Sequence, residues 1–423
     1  MKIIRATDKK QLALYFKRLI SANSRVEAVV KSIIHDVAKN GDKALFKYNY
    51  RFDGFKSDKN NLKVTKAELQ TATKCVEKEV IDAILIAKAN ICKFHSKQLK
   101  QKYEISVNGA LTGIRYLPVS SAGLYVPGGK AVYPSTVLMN VLPAKIAGVK
   151  RIVICTPAGK DGTINPVVLA AAKICGVEEI YKTGGAQAVA AMAYGTKLIP
   201  KVDKITGPGN IFVATAKKLV FGQVGIDNIS GPSEVLIIAD KYADPEVTAA
   251  DILSQAEHDE DATCILVTDS KKLAADTLAA ISRQVKSLPK REIADAALKR
   301  GCAVLVENMN EAAQISNTFA PEHLQIISRH DRQIFNLINN AGAVFLGKYS
   351  PVALGDYIAG TNHVLPTSGT ARFSSGLGVE DFIKRISYVK YSKSALKDIY
   401  PSLRSLAGAE KLEAHNKSVS IRL

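Results

Sequence analysis

Much that would assign this chain to a membrane, an oxidising compartment or a nucleic acid is missing from it. No apolar run in its 423 residues approaches the roughly 20 that a membrane-spanning helix needs. The start, Met1-Lys2-Ile3-Ile4-Arg5-Ala6-Thr7-Asp8-Lys9-Lys10, has no apolar core of a secretion signal. The reading is a soluble cytoplasmic protein with no membrane partner. No Cys-x-x-Cys pair occurs among the six cysteines, and most sit in apolar runs such as Arg151-Ile152-Val153-Ile154-Cys155. They read as small reduced core residues, not as a thiolate metal site. Acidic residues are scarce beside basic ones, 39 against 58, for a formal charge of +19. Yet the lysines are spread along the chain, with no long basic block and no interleaving of aromatic and basic residues. That pattern describes a lysine-rich surface and no nucleic-acid partner, although an anionic substrate or cofactor would gain from the field. There is no Gly-Lys-Ser/Thr phosphate loop and no local zinc spacing.

What is present is globular: 47% hydrophobic residues and enough length for two or three domains. Val26, Val29, Val30, Ile33, Ile34 and Val37 repeat at helical spacing over residues 24–39, and Asn40-Gly41 ends the run. Residues 68–101 read as a longer helical stretch with a break or bend. This N-terminal region has the look of a helical scaffold or oligomer contact. From Leu111 short apolar strands alternate with helices, at 114–119, 123–126, 151–155, 179–181, 204–206, 234–239, 264–267, 303–306, 324–327 and 343–346. The texture predicts an α/β fold with largely parallel sheets, and too many strands for one small sheet. We therefore expect two incomplete Rossmann-like α/β domains, with N-terminal helices and a C-terminal extended or helical tail. The expected boundaries are 1–124, 125–233, 234–375 and 376–423, with the crossing near 227–233 where Gly231-Pro232 interrupts. After about Gly369 the pattern weakens into loops and short helices, a tail suited to wrapping another subunit.

The chemistry gathers around Ala320-Pro321-Glu322-His323-Leu324. Pro321 disfavours helical geometry at Ala320, so a helix over 311–319 should stop and restart as the strand 324–327. Glu322 and His323 then stand at the corner, two proton acceptors of different basicity at a strand mouth. Three glycine-bearing turns lie beside strands: Tyr125-Val126-Pro127-Gly128-Gly129, Gly184-Gly185-Ala186-Gln187 and Gly207-Pro208-Gly209-Asn210. The last two open helices, and backbone N–H groups at a helix start suit phosphate. Phe212 stands where a dinucleotide fingerprint wants a third glycine, so the fingerprint is incomplete. Asp227 sits where a ribose-binding acid could be. Seven histidines occur. Gln255 and His258, near the end of a helix over 245–258, would share one face and could reach one ion. Asp356, His363 and His415 lie far along the chain, so spacing alone does not assemble a site. The residues by themselves leave open an alcohol dehydrogenase, a basic nucleic-acid-binding protein and a metal hydrolase with Glu322 as base.

Together these stretches resemble the histidinol dehydrogenase family. The resemblance rests on Gly123-Leu124-Tyr125-Val126-Pro127-Gly128-Gly129, Gly184-Gly185-Ala186-Gln187-Ala188, Gly207-Pro208-Gly209-Asn210, Gly231-Pro232-Ser233-Glu234-Val235 and Ser254-Gln255-Ala256-Glu257-His258. Further along it rests on Pro321-Glu322-His323-Leu324, Gly355-Asp356-Tyr357, Gly360-Thr361-Asn362-His363-Val364-Leu365-Pro366-Thr367 and the tail from Ala409-Glu410 to His415. It covers the chain from about Gly113 and is weaker before it. The resemblance implies a homodimeric, zinc-dependent oxidation of L-histidinol through bound L-histidinaldehyde to L-histidine with two NAD⁺. By motif, Gln255, His258, Asp356 and His415 would hold one zinc per subunit. Glu322 and His323 would be the catalytic pair, with His323 taking the alcohol proton and Glu322 activating water. Tyr125, Gln187 and Asn210 would contact NAD. Ser233 and Glu410 would contact substrate, together with Gln255, His258, His323, Asp356 and His415, and His363 would be a neighbour. The family also implies that the tail reaches the partner's site. Glu410 and His415 would point apart on a continuous helix, so either the tail bends or its long side chains converge from the two flanks of a bound substrate.

Overall fold

Strands whose two faces are both covered by helices read as unbroken apolar runs, and several such runs form the two parallel sheets here. The structure, a computed structural model, describes residues 1–16, 24–128 and 132–423. Gly129, the last residue of the first glycine-bearing turn, lies outside the described residues. The strands in order are β1 (Lys2–Arg5), β2 (Tyr103–Val107), β3 (Ala110–Pro118), β4 (Ser121–Tyr125), β5 (Arg151–Thr156), β6 (Glu179–Lys182), β7 (Lys204–Thr206), β8 (Gly225–Ile226), β9 (Glu234–Ala239), β10 (Thr263–Thr268), β11 (Cys302–Leu305), β12 (His323–Ile327), β13 (Ala343–Leu346) and β14 (Ile383–Tyr391). A five-stranded parallel sheet runs β6-β5-β4-β7-β8 and a six-stranded parallel sheet runs β1-β11-β10-β9-β12-β13. Residues 227–233 carry the chain from one to the other.

Alternate residues of each strand feed separate cores on the two faces. In the first sheet Leu124, Ile152, Ile154 and Ile180 pack on one side, and Tyr125, Val153, Cys155 and Tyr181 on the other. In the second, Val235, Ile237, Cys264 and Leu266 face one core, and Leu236, Ile238, Ile265 and Val267 the other. That is the period-2 geometry of a strand buried on both sides. Among the described residues, no helix is long and apolar enough to cross a membrane.

The expected strands form, but 114–119 belongs to neither parallel sheet. It is part of β3, which pairs antiparallel with β2 and β14 in a three-stranded arm. β2 is exposed throughout and β14 nearly so, which leaves them without the apolar alternation that betrays a strand. The tail is also more regular than the sequence suggests. After β14 come helices Lys393–Ala409 and Glu413–Ser420, separated at Lys411 with φ 58°. The bend, one of the two ways open to Glu410 and His415, is this break. The stretch 68–101 divides into Lys66–Cys75 and Lys78–His95 with a short 3-10 turn after it, and Thr65 and Glu68 form a capping box at its start. The N-terminal region is not only helical, because β1 joins the far edge of the second sheet.

The helix Ser24–Asn40 buries Val30, Ile33, Ile34 and Val37 against the core shared with the helix Gly185–Tyr194. Asp36 on its other side ties it to the next helix, Asp42–Asp53. The Asp36 carboxylate accepts hydrogen bonds from Lys47 Nζ (2.8 Å), Asn40 Nδ2 (2.7 Å) and Tyr48 Oη (2.9 Å). Those bonds, Lys47 first, hold its carboxyl down at about 2, from an ordinary 3.8. A carboxyl depressed in the folded state stabilises above its unfolded value and loses that stabilisation as pH falls toward the folded value. Asp36→Asn should therefore lower the urea midpoint at pH 6, and the gap from the parent should narrow between pH 4 and 3. A gap that stays constant over that range would show that Asp36 is not held by these bonds.

Candidate functional site

The corner at Pro321 is built as a helix stop. Ala320 takes the left-handed conformation, φ 51°, at the end of the helix Met309–Phe319, and its N–H returns to the Ser316 carbonyl (2.7 Å). Pro321 cannot continue the helix, and the chain enters β12 directly at His323. β12 lies between β9 and β13, with His323 opposite Val235 and Ala343. Glu322 and His323 thus stand at the amino end of their strand, not at the carboxyl end where α/β sheets commonly bind ligands. The segment after β4 in the other sheet approaches this end through His363. Thr136, in the first turn of the helix Pro134–Ala147 that follows β4, has its hydroxyl 3.2 Å from His363 Nε2. His363 Nδ1 lies 2.9 Å from the Asp356 carbonyl.

Glu322 and His323 are 6% and 4% exposed, so their partners decide their behaviour. The Glu322 carboxylate accepts the Glu234 N–H (2.8 Å), and the Glu234 carboxylate accepts the Glu322 N–H (3.3 Å) and the Ser368 N–H (3.1 Å). His323 Nδ1 is 3.0 Å from the Glu234 carbonyl oxygen, which can only accept, so Nδ1 carries a proton. Nε2 is buried without a hydrogen-bond partner among the described residues and lies 3.7 Å from Asp356 Oδ1. Burial alone would lower the basicity of this imidazole. The Glu322 and Asp356 carboxylates outweigh it and lift His323 to about 10. Burial pushes Asp356 the other way, but His323, His363 and His258 hold its carboxyl below the usual value. Glu234 was not singled out as a site residue from the sequence. Its signal is a lone acid opening the otherwise apolar run Val235-Leu236-Ile237-Ile238-Ala239.

Gln255 is buried in the last turn of the helix Pro245–Ala256. That helix ends two residues before His258, so the two do not share a helix face as expected. His258 is exposed in the turn beyond, with its N–H on the Gln255 carbonyl (3.2 Å). The turn still brings its charge to bear on Asp356. Ser233 is half-buried immediately before β9. Gln255, His258 and Asp356 supply the oxygen and nitrogen donors that zinc accepts. Glu410 and His415 are exposed on the tail, and among the described residues neither side chain bonds another residue of this group.

The glycine turns form a second cluster at the carboxyl ends of the five-stranded sheet. Tyr125 ends β4, and its hydroxyl accepts the Gly185 N–H (3.1 Å). Burial pushes that phenol up to about 12, so it keeps its own proton to donate. Gln187 is 1% exposed, and neither of its amide atoms has a partner among the described residues. An unpaired buried amide at a helix start fits a phosphate-bearing ligand. Asn210 is exposed and caps the helix Ile211–Val220, accepting the N–H groups of Phe212 (3.1 Å) and Val213 (3.2 Å). Gly207, φ +116°, passes so close to Tyr125 that an added Cβ would lie 2.1 Å from its carbonyl oxygen.

Asp227 is not a ribose-binding acid. Its side chain is 1% exposed and ion-paired with the equally buried Lys217. It accepts the Gly207 N–H (2.8 Å) while Lys217 donates to the Gly207 carbonyl (2.8 Å). The pair grips both polar groups of one glycine and so fixes the turn that leads to Asn210.

Comparison with known proteins shows the family. The histidinol dehydrogenase family model matches residues 17–423. Histidinol dehydrogenase of Bacillus subtilis (strain 168) is 48% identical over 425 residues, covering 100% of this chain and 99% of that one. Histidinol dehydrogenase of Lactiplantibacillus plantarum is 50% identical over 414 residues, 96% of each chain. The crystal structure of histidinol dehydrogenase from Elizabethkingia anophelis superposes with a TM-score of 0.95 at 39% identity, over 100% of this chain and 98% of that one.

The Lys217–Asp227 pair has a measurable consequence. Lys217→Met strands a buried carboxylate and should destabilise the fold by about 3–5 kcal/mol in urea unfolding. Adding Asp227→Asn removes the stranded charge and keeps an acceptor for Gly207, so part of the loss should return. A single variant as stable as the parent would show that the pair is not desolvated.

Proposed function

The chain belongs to the histidinol dehydrogenase family, and on that premise we propose how its residues divide the reaction. The enzyme carries out the NAD-dependent oxidation of histidinol to histidine, the final step of histidine biosynthesis. An alcohol becomes a carboxylate by losing four electrons, so two hydrides leave in turn to two NAD⁺.

One observation carries the division of labour. His323 is anchored through Nδ1 to the Glu234 carbonyl, and its Nε2 is buried, unpartnered and beside Asp356. With Nδ1 committed as a donor, Nε2 is the nitrogen that exchanges a proton, and it would become an acceptor once a metal on Asp356 takes away the charge that holds the ring protonated. His323 takes the hydroxyl proton of histidinol as the first hydride leaves, which gives the aldehyde. Glu322 has one carboxylate oxygen on the Glu234 N–H. The other takes a proton from the water that attacks the aldehyde. The resulting hydrate loses the second hydride and becomes the carboxylate. Burial of both residues keeps bulk water from the aldehyde between the two steps. Tyr125, Gln187 and Asn210 hold the NAD, with its phosphates at the start of the helix Gly185–Tyr194. Ser233 and Glu410 contact the substrate.

Gln255, His258 and Asp356 would hold zinc with His415 as the fourth donor. Bound there, zinc would anchor the imidazole and amine of histidinol and offset the charge of Asp356. Among the described residues of one chain, no group of three or more His, Cys, Asp or Glu could hold a metal alone. That is consistent with a fourth donor brought by a second subunit. The arm and tail also expose Val389 at 71%, Leu406 at 69% and Ile421 at 75%, apolar surface of the kind that a second copy covers. We read the enzyme as a homodimer in which each tail brings Glu410 and His415 to the other subunit's site.

His258→Ala should lose bound zinc, read by metal analysis, with circular dichroism unchanged. A variant that retains both metal and turnover would remove His258 from the ligand set. The exchange of tails is tested by refolding His323→Ala and His415→Ala subunits together. Half the dimers are then mixed, each with one intact site of two, so roughly a quarter of parental activity should return. No recovery, with mixed dimers confirmed by tagging, would assign each tail to its own subunit.

A further inference from the structure

With Asp227 committed to Lys217, the cofactor region needs another acid if one is to read a ribose. Asp53 is the last residue of the helix Asp42–Asp53. One turn earlier on the same face, Asn49 is completely buried and fastens this helix to the exit of β6. Its Nδ2 donates to the Lys182 carbonyl (3.1 Å), and its Oδ1 accepts from the Thr183 hydroxyl (2.7 Å). Asp53 therefore shares the helix face that meets the exit of β6, the segment that leads into Gly184 and Gly185, where Tyr125 meets the Gly185 N–H. Its charge also bears on the Tyr125 phenol. Just after it the chain turns away through Gly54, φ +69°, where an added Cβ would crowd the Lys160 side chain at 2.9 Å.

The Asp53 carboxylate is half-buried, yet among the described residues it has no hydrogen bond and no ion pair. Desolvation alone pushes it up to about 6. A carboxylate in that position loses hydration without protein partners to replace it. A ligand with hydroxyl groups would supply them. If phosphates sit at the start of the helix Gly185–Tyr194, the riboses flank that turn. The nicotinamide end must reach His323, which the first sheet approaches through Thr136. Asp53 stands instead on the β6 side.

We propose that Asp53 accepts hydrogen bonds from the adenosine ribose hydroxyls of NAD and sets the preference for NAD over NADP. The proposal rests on the cofactor placement at Tyr125 and Gln187 given above. A 2′-phosphate would meet a carboxylate where a 2′-hydroxyl meets an acceptor, so the same group favours one dinucleotide and repels the other.

Asp53→Ala and the isosteric Asp53→Asn test it, with Gln187→Ala as the companion. Steady-state kinetics are measured against NAD, NADP and histidinol, with thermal melts as a check on folding. Asp53→Ala should raise KM for NAD about tenfold or more, the size of a lost bond to a charged acceptor, and leave kcat and KM for histidinol within about twofold. The kcat/KM ratio of NAD to NADP should fall by about tenfold or more in both Asp53 variants. An unchanged NAD/NADP ratio in a folded Asp53→Asn enzyme overturns the assignment, whatever happens to KM. If Gln187→Ala raises KM for NAD and the Asp53 variants do not, Asp53 is wrong and the placement stands. If neither moves it, the placement itself is wrong.

Discussion

Everything at the site hangs on the parallel pairing of β9 with β12. Glu234 begins one strand and the Glu322-His323 pair begins the other, and the two starts are fastened reciprocally. The Glu234 N–H holds one carboxylate, the Glu322 N–H holds the other, and the Glu234 carbonyl orients the imidazole. Hydrogen bonds to charged groups contribute about 1.5–3 kcal/mol each, enough to fix side-chain positions that would otherwise be free. A slip of one residue in this register would turn His323 to the opposite face and leave both carboxylates buried without donors. The chemistry is thus a property of main-chain pairing before it is a property of the side chains. Removal of the Glu234 carboxylate would act on the loop at Ser368 and on the Glu322 backbone together.

The two sheets contribute opposite ends. The five-stranded sheet offers the carboxyl ends of its strands, where helix starts present N–H groups suited to phosphate. The six-stranded sheet offers its amino end, where two buried carboxylates and an imidazole wait. The link between them is short and polar: Thr136 to His363, the Asn362 side chain to the Met139 carbonyl (2.7 Å), and the Gly231 N–H to Thr367. On the proposed placement, cofactor and proton acceptors come from different sheets.

The central parallel strands are legible in the sequence because they are buried on both faces and therefore uniformly apolar, whereas the edge strands β1, with one buried residue of four, and β8, two residues long, are not. It concealed β2 and β14 for the converse reason, since an exposed arm carries lysine, serine and tyrosine where a core strand carries valine. Among site residues, the helix stop at Ala320-Pro321 follows from local backbone chemistry and was legible. The role of Asp227 was misread because spacing after a glycine turn says nothing of a lysine ten residues away that claims the carboxylate. His258 was assigned to a helix face because nothing local announces that the helix ends at Ala256. Glu234 escaped because its role arises only when two strands about 90 residues apart are paired, and period alone gives no register. The grouping of Gln255, His258 and Asp356 came from family resemblance, and residue spacing could not have supplied it.

β1 has a bearing on the order in which the molecule is made. Lys2–Arg5 pairs with Cys302–Leu305, so β1 must wait for roughly 300 further residues to be made before its partner exists. In that interval β4 to β8 can assemble from contiguous chain, whereas β11 cannot gain its outer neighbour from anything nearby in sequence. Until β1 docks, β11 presents an apolar, unpaired edge, Cys302-Ala303-Val304-Leu305, of the kind on which unfinished chains stick to one another. Closure of that edge by β1 is then a late event in biogenesis. A bulky fusion ahead of Lys2 would be carried to the rim of the second sheet, beside the half-buried amine of Met1. Its first effect would be on the yield of folded protein and not on the turnover of what folds.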